Sequence, residues 1–293
     1  MSDNVVIARV QQYTTNVQLL LQQKGSKLRS TVNESAYTGK AAKSVEQIGS
    51  VNAQKVTSRH ADTPLIATPH DARWCFPTDY IFADMIDDED RLRMLISPDS
   101  EYAINGAYSM GRAMDDEIID AFFGTSKTGE NGSTSTSFPA ANQIAVATGS
   151  SGATGMNVAK LRAAKKSLMA AEVDVDNDPL YVAITAEQHD DLLAETQAVS
   201  LDFTDRPALV DGKISAFMGF NFVHIERLEV NGSSQRRCPA WARSGMHLGL
   251  WNDISTSIDR RPDKSNATQI MVKMTVGACR VEENKVIEII CAE

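Results

Sequence analysis

No run of about 18 apolar residues occurs in the sequence, so no segment has the length and apolarity of a bilayer-spanning helix. The opening "MSDNVVIARVQQYTTN" has no basic start leading into an apolar core, so no secretory leader is expected. Cysteine is scarce: Cys75, Cys238, Cys279 and Cys291 are scattered without a C-x-x-C pair. That spacing argues against zinc and against a disulfide framework, and fits synthesis in a reducing compartment. His60, His70, His189, His224 and His247 show neither H-x-x-x-H nor H-E-x-x-H spacing, and no serine sits in G-x-S-x-G. The stretch "GTSKTGENGST" spaces Gly124 and Gly129 like a phosphate loop. Glu130 and Asn131 then stand where Lys and Ser/Thr are required, and a glutamate there repels phosphate. "DVDND" at 174–178 begins like a calcium loop, but Pro179 and Thr185 replace the needed Gly and Glu. No catalytic, cofactor-binding or metal-ligating residue is expected.

What is present is an ordinary apolar content. Hydrophobic residues make up 42% and charged residues 23% of 293, enough for a core over about two domains. The net charge of −9 is uneven. Residues 1–60 carry eight Lys/Arg against three acids, or +5; the remainder carries 21 against 35, or −14. An acidic body with a basic arm can pair with copies of itself. The arm could also meet nucleic-acid phosphates without reading sequence.

Four acids, Asp115, Asp116, Glu117 and Asp120, crowd into "GRAMDDEIIDAFFG" at 111–124. At about 100° per residue, Ala103, Ala107, Met110, Met114, Ile118 and Ala121 share one narrow helical stripe. Arg112, Asp116 and Asp120 point away from it, while Asp115 and Glu117 flank opposite edges. Carboxylates that do not converge cannot hold a metal or share acid–base work. They read as the wet side of a helix, with Arg112 and Asp116 forming a surface pair worth a few tenths of a kcal/mol, on the order of 0.3.

Along the chain, Val6, Val10, Tyr13, Val17 and Leu20 predict an amphipathic helix closed by Gly25. Residues 25–68 are polar and thinly apolar. They are too long for a structureless loop inside a compact domain, and read either as disordered or as an extended hairpin that finds its partners on other molecules, with Gly49-Ser50 as a candidate turn. A strand-rich piece follows with Trp74, Phe76, Tyr80, Ile81 and Phe82. Acids at 87–90 announce a helix over "RLRMLI". A longer helix opens at Pro98, with Ser97 or Ser100 as N-cap, and stops at Gly124. Residues 124–156 read as loop with one strand at 143–147. The next helix turns Leu161, Ala164, Leu168 and Ala171 one way and Lys160, Arg162, Lys165 and Lys166 mainly elsewhere. "DPLYVAIT" is a buried strand, and Thr185 with Gln188 is a capping box for "AEQHDDLLAE". "GKISAFMGFNFVHIERLEV" adds strands turned at Gly212 and Gly219. "MHLGLW", "DISTSIDRR" and the final 27 residues read as β, with Glu282-Glu283-Asn284 as a hairpin loop. The pattern is α+β, with a central insert inside a discontinuous domain.

The stretch "RHADTPLIATPHDARWCFPTDYIFADMIDDEDRLRMLISPDSEYAINGAYSMGRAMDDEIIDAFFG", with "NDPLYVAITAEQHDDLLAE", "GKISAFMGFNFVHIERL" and "NDISTSIDRRPDKSNATQIMVKMTVGACRVEENKVIEII", resembles the major capsid proteins of tailed bacteriophages, the Hong Kong 97-type fold. The resemblance implies an N-terminal arm at 1–36 and an extended loop at 37–72 laid over an adjacent subunit. It implies a peripheral domain at 73–149 with a spine helix at about 98–123, an inserted axial domain at 150–248, and return strands of the peripheral domain at 249–293. The implied function is self-assembly into hexamers and pentamers of an icosahedral head around double-stranded DNA. The chain would be made in the bacterial host cytoplasm and reside in the virion. Its partners would be copies of itself, a portal, scaffolding or decoration proteins and non-specifically touched DNA, with no membrane, no cofactor and no catalysis. No scaffolding segment of about a hundred residues precedes the arm in this sequence, which points to a separate scaffold or to the arm acting alone. Lys40, Lys43 and Lys55 lie in the extended loop, but no pattern selects one for crosslinking, so no covalent crosslink is expected. Two rivals stand beside this reading: an encapsulin-like compartment enclosing protein, and a soluble α/β enzyme with a polar pocket.

Overall fold

The computed structural model describes residues 22–55, 58–59, 65–87, 99–195, 209–210 and 213–293. The helix expected over residues 6–20, the "RLRMLI" helix, Ser97 and Gly212 lie outside the described residues.

The first strands are β1 (Asn33–Ala36), β2 (Ala42–Ile48), β3 (His70–Cys75) and β4 (Thr78–Ile86). Helix α1 (Asp99–Phe123) follows, then short strands β5 (Ser126–Thr128), β6 (Thr134–Thr136) and β7 (Gln143–Ile144). Helix α2 (Val158–Ala170), β8 (Leu180–Ile184) and α3 (Ala186–Ala194) form the expected helix–strand–helix run. Three two-residue strands come next, β9 (Leu209–Val210), β10 (Lys213–Ile214) and β11 (Ala216–Phe217). The chain closes with β12 (Phe220–His224), β13 (Gln235–Ala242), β14 (Met246–Arg261), β15 (Ala267–Arg280) and β16 (Val286–Ala292). One sheet runs β1-β14-β15-β4, a second β2-β3-β5-β6, and a third β11-β12-β8-β13-β16-β7, while β9 and β10 pair alone.

Helix α1 is 25 residues long, roughly 37 Å. Its apolar stripe, Met110, Met114, Ile118 and Phe122, is buried in one core with Val272, Met274 and Val276 of β15. Gly106 lets the helix lie close: a Cβ there would stand 2.6 Å from Val272 Cγ2. Ser100 is inside the helix rather than capping it. At the other end Gly124 N donates to Asp120 O (2.9 Å) and the chain leaves. Arg280, fully buried, donates from Nη1 to Phe122 O (2.7 Å) and Gly124 O (2.9 Å). A cation at the carbonyl end of a helix complements its dipole. Beyond it the Phe122 ring packs 4.6 Å from Trp241, joining α1 to the six-stranded sheet.

Four local expectations are corrected. The glycine-rich loop after α1 is a hairpin of β5 and β6, whose three-residue strands are too short for a periodic signal. The strand expected at 143–147 shrinks to two residues beside β16. "MHLGLW" and "DISTSIDRR" are one strand, β14, with register shifts at Leu250/Asn252 and Asn252/Ser255. Residues 282–284 do not close a hairpin. They pass the chain from β15, paired with β14 and β4, to β16, paired with β13 and β7. The last strand thus belongs to the sheet of β8 and β12, which lie parallel across the α3 crossover.

A fifth correction concerns Lys160, expected mainly off the buried face of α2. Leu161, Ala164 and Leu168 are buried as expected, and so is Lys160. Its ammonium donates to Thr154 O (2.7 Å), Gly155 O (2.8 Å) and Ile290 O (2.9 Å), and burial pushes its pKa down. A single cation thereby ties the 146–156 loop, α2 and β16 together. At α3 the capping box forms, with Thr185 N donating to Gln188 Oε1 (3.0 Å). The Gln188 amide and Arg236 Nε and Nη2 then hold Glu293 (2.9, 2.9 and 2.6 Å).

Lys160→Met strands three buried carbonyls and should lower stability by about 3 kcal/mol in urea unfolding. Arg236 first, then Gln188 and Thr185, hold the Glu293 carboxyl at about 2. A depressed carboxylate stabilises fully above its unfolded pKa and loses that contribution as pH falls through the folded value. Stability from this group should therefore decline between about pH 4.5 and about pH 2. Arg236→Met should flatten that part of a melting-temperature profile against pH.

Candidate assembly interface

Residues 22–28 lie along α1, and Asp115 holds them there. The Asp115 side chain is 0% exposed. It accepts from Ser26 Oγ (2.5 Å), Lys27 N (3.0 Å), Leu28 N (3.1 Å) and the Gln23 amide. One turn earlier, Gly111 leaves the notch: a Cβ there would stand 2.5 Å from the Gly25 carbonyl carbon. Gly25 has φ +71°, the left-handed region its expected role requires. Arg112 Nη1 donates to Gln22 Oε1 (2.8 Å) and Gln23 O (3.2 Å), and Gln22 Nε2 to Asn105 Oδ1 (3.0 Å). Leu28 then enters the core, and Trp241 Nε1 donates to Thr31 O (3.1 Å). Two basic residues of this segment are used within the chain. Lys27 Nζ donates to His224 O (2.8 Å), and Arg29 forks onto Asp253 (3.1 and 3.0 Å).

The four crowded acids therefore do four different things, and the expected Arg112–Asp116 pair is replaced. Asp116 instead takes both forks of Arg227, with Nε at 2.7 Å. Glu117 accepts from Tyr80 Oη (2.6 Å); burial and that carboxylate hold the phenol above its ordinary range. Asp120 sits at the surface. Partial burial, then the charges of Glu229 and Glu117, push its carboxyl up. No local signal marks the burial of Asp115. Helical angles alone miss it, because the donors come from a segment some 88 residues away.

The second feature is a projection. Strands β2 and β3 pair from Ala42↔Cys75 to Ile48↔His70, and Gly49 N donates to Pro69 O (2.8 Å). Gly49-Ser50 is thus not the turn; the paired arms end there and the chain runs on to residue 69. Ile48 is 68% exposed and Leu65 95%, and Lys55 and Arg59 are exposed as well. The root is anchored: Ser44 Oγ donates to Arg73 O (3.1 Å), Gln47 Nε2 to Val281 O (2.7 Å) and Trp74 Nε1 to Gly129 O (2.7 Å). Tyr37 Oη lies 2.8 Å from His247 Nε2, under a ring cluster completed by Trp251.

The remaining sequence candidates do not converge. Among the described residues no group of three His, Cys, Asp or Glu is placed to hold a metal. "DVDND" is a turn closed by Asn177 Nδ2 onto Asp174 Oδ2 (2.8 Å). Gly129 and Gly132 turn the β5–β6 hairpin with positive φ. His70, His189, His224 and His247 lie on β3, α3, β12 and β14, and His60 is outside the described residues. All four cysteines are buried and unbridged.

A long helix lies across a four-stranded sheet, a second sheet carries the projecting hairpin, and a six-stranded sheet stands beside them. The capsid of the cyanophage P-SCSP1u is similar at a TM-score of 0.76 and 15% identity, over 100% of this chain and 97% of that one. A Mycobacterium phage Che8 structure is similar at 0.69 and 17%, over 96% and 97%. The capsid of the cyanophage Pam1 is similar at 0.71 and 11%, over 98% and 97%. No curated protein matches the sequence. The sequence model of the phage capsid protein family matches residues 5–293, so this chain belongs to that family. It is a structural shell protein with the α+β capsid fold.

Asp115→Ala leaves the Lys27 and Leu28 amides without their acceptor. Amide exchange at those two positions should rise steeply, and stability should fall by roughly 3 kcal/mol. Asp115→Asn, which keeps one acceptor oxygen, should lie between.

Proposed function

We propose that the chain is the major subunit of an icosahedral head, forming hexamers and pentamers that close around double-stranded DNA. The observation that supports this most is the hairpin. Its root is bonded into the body, yet its apolar residues stand in solvent, which a monomer has no use for. In this reading residues 37–72 are the extended loop laid on a neighbouring subunit. Helix α1 is the spine of a peripheral domain, and residues 150–248 are the axial domain around the symmetry axes. Residues 1–36 are an arm whose later part, from Gln22, is fastened to its own α1. Many modest contacts then become collectively strong when a shell closes. A portal, a scaffold or decoration protein and the packaged DNA are the further partners. Assembly takes place in the host cytoplasm. No residue is catalytic in this reading. An encapsulin-like compartment has no observation in its favour.

Sedimentation and electron micrographs of the chain co-expressed with the other head proteins of its phage test the reading: shells are expected, and a stable monomer under those conditions would overturn it. Replacing residues 50–68 by a short glycine linker should leave a folded protein with an unchanged melting temperature that forms no shells. Normal particles from that variant would refute the role given to the hairpin.

A further inference from the structure

A surface cleft of about 220 Å³ opens where α1 ends, at the root of the hairpin. Trp74 and Phe76 form its apolar wall, and Phe76 is 45% exposed. Glu117 and Asp120 form its acidic side. Neither carboxylate has a cation within the chain among the described residues. Glu117 has only the Tyr80 hydroxyl, and Asp120 faces the further negative charge of Glu229. The two cations that also line the cleft are engaged elsewhere: Lys127 donates to Ser135 Oγ (2.9 Å), and Arg280 is turned to the carbonyls at the helix end. Two carboxylates beside two aromatic rings suit a long basic side chain. Its methylenes would lie on the rings and its charge would meet the acids.

The outer part of the hairpin supplies such side chains. Lys55 and Arg59 are exposed there and form no ion pair among the described residues, and Val51, Leu65 and Ile66 of the same stretch are exposed apolar groups. Every residue from Ile48 to Lys55 is exposed, so Lys55 does not fold back into the cleft of its own chain. We propose that the cleft of Trp74, Phe76, Glu117 and Asp120 receives the side chain of Lys55 or Arg59 from the hairpin of a second copy. The inference rests on the capsid reading and names the seat of the extended loop. Outer end to root is a heterologous contact, which propagates from copy to copy and closes when the rotation closes.

Charge reversal tests it. Lys55→Glu with Arg59→Glu should cut shell yield about tenfold or more, the effect of some 1.4 kcal/mol per contact. Adding Glu117→Lys and Asp120→Lys to that chain should restore much of the yield. If the unmodified chain, co-expressed with the other head proteins, forms no shells, the proposed assembly role fails. If it does, and the reversed chain assembles equally well or is not rescued, this inference alone is overturned. A second measurement avoids variants altogether. Carbodiimide treatment of shells assembled from mixed light and isotope-labelled chains should join Lys55 to Glu117 or Asp120 between copies. Absence of that link from the peptide map would also overturn the proposal.

Discussion

One buried carboxylate organises the first half of this subunit. Asp115 takes hydrogen bonds from two backbone amides, a hydroxyl and a side-chain amide, all from residues 23–28. A carboxylate removed from water is tolerated only when its lone pairs are filled, so those donors and Asp115 require one another. Once they meet, Leu28 falls into the core, Thr31 O meets Trp241, and β1 is delivered in register to β14. The chain then enters β2 from a fixed point, and the hairpin projects from a rigid base. Gly111 is part of the same arrangement, since any larger residue would hold the segment off the helix.

Buried cations do the matching work at the other end. Arg280 closes the carbonyl end of α1, and Lys160 gathers three carbonyls from separate segments. Together with the Phe122–Trp241 contact they make the helix, its sheet and the six-stranded sheet a single body. Rigidity there matters for a shell subunit. A projection transmits force to a neighbour only if its root does not move, and the polar residues of the root, Ser44, Gln47 and Trp74, are each tied to a backbone carbonyl.

Much of the architecture was legible. The apolar stripe of α1 and its stop at Gly124, the capping box at Thr185, the buried "DPLYVAIT" strand and the β-rich end all stand where periodicity and turn chemistry put them. These are short-range signals, set by neighbours within four residues. The misses share the opposite property. Asp115 and Lys160 have ordinary surface residue types, and their burial depends on donors and acceptors that arrive from distant parts of the chain. Residues 282–284 look like a hairpin loop because a β-rich run stands on either side; which sheet each strand joins is a matter of pairing across the fold.

By itself the sequence determined the helices at 99–123, 158–170 and 186–194, the buried strand at 180–184 and the polar stretch that became the hairpin, because each follows from local period and composition. Only the tertiary structure decided what the four crowded acids do. Position on a helical wheel assigns a side chain a direction, but its role is settled by what stands in that direction. For Asp115 it is the backbone of residues 27 and 28, for Asp116 an arginine, for Glu117 a tyrosine and for Asp120 the carboxylate of Glu229.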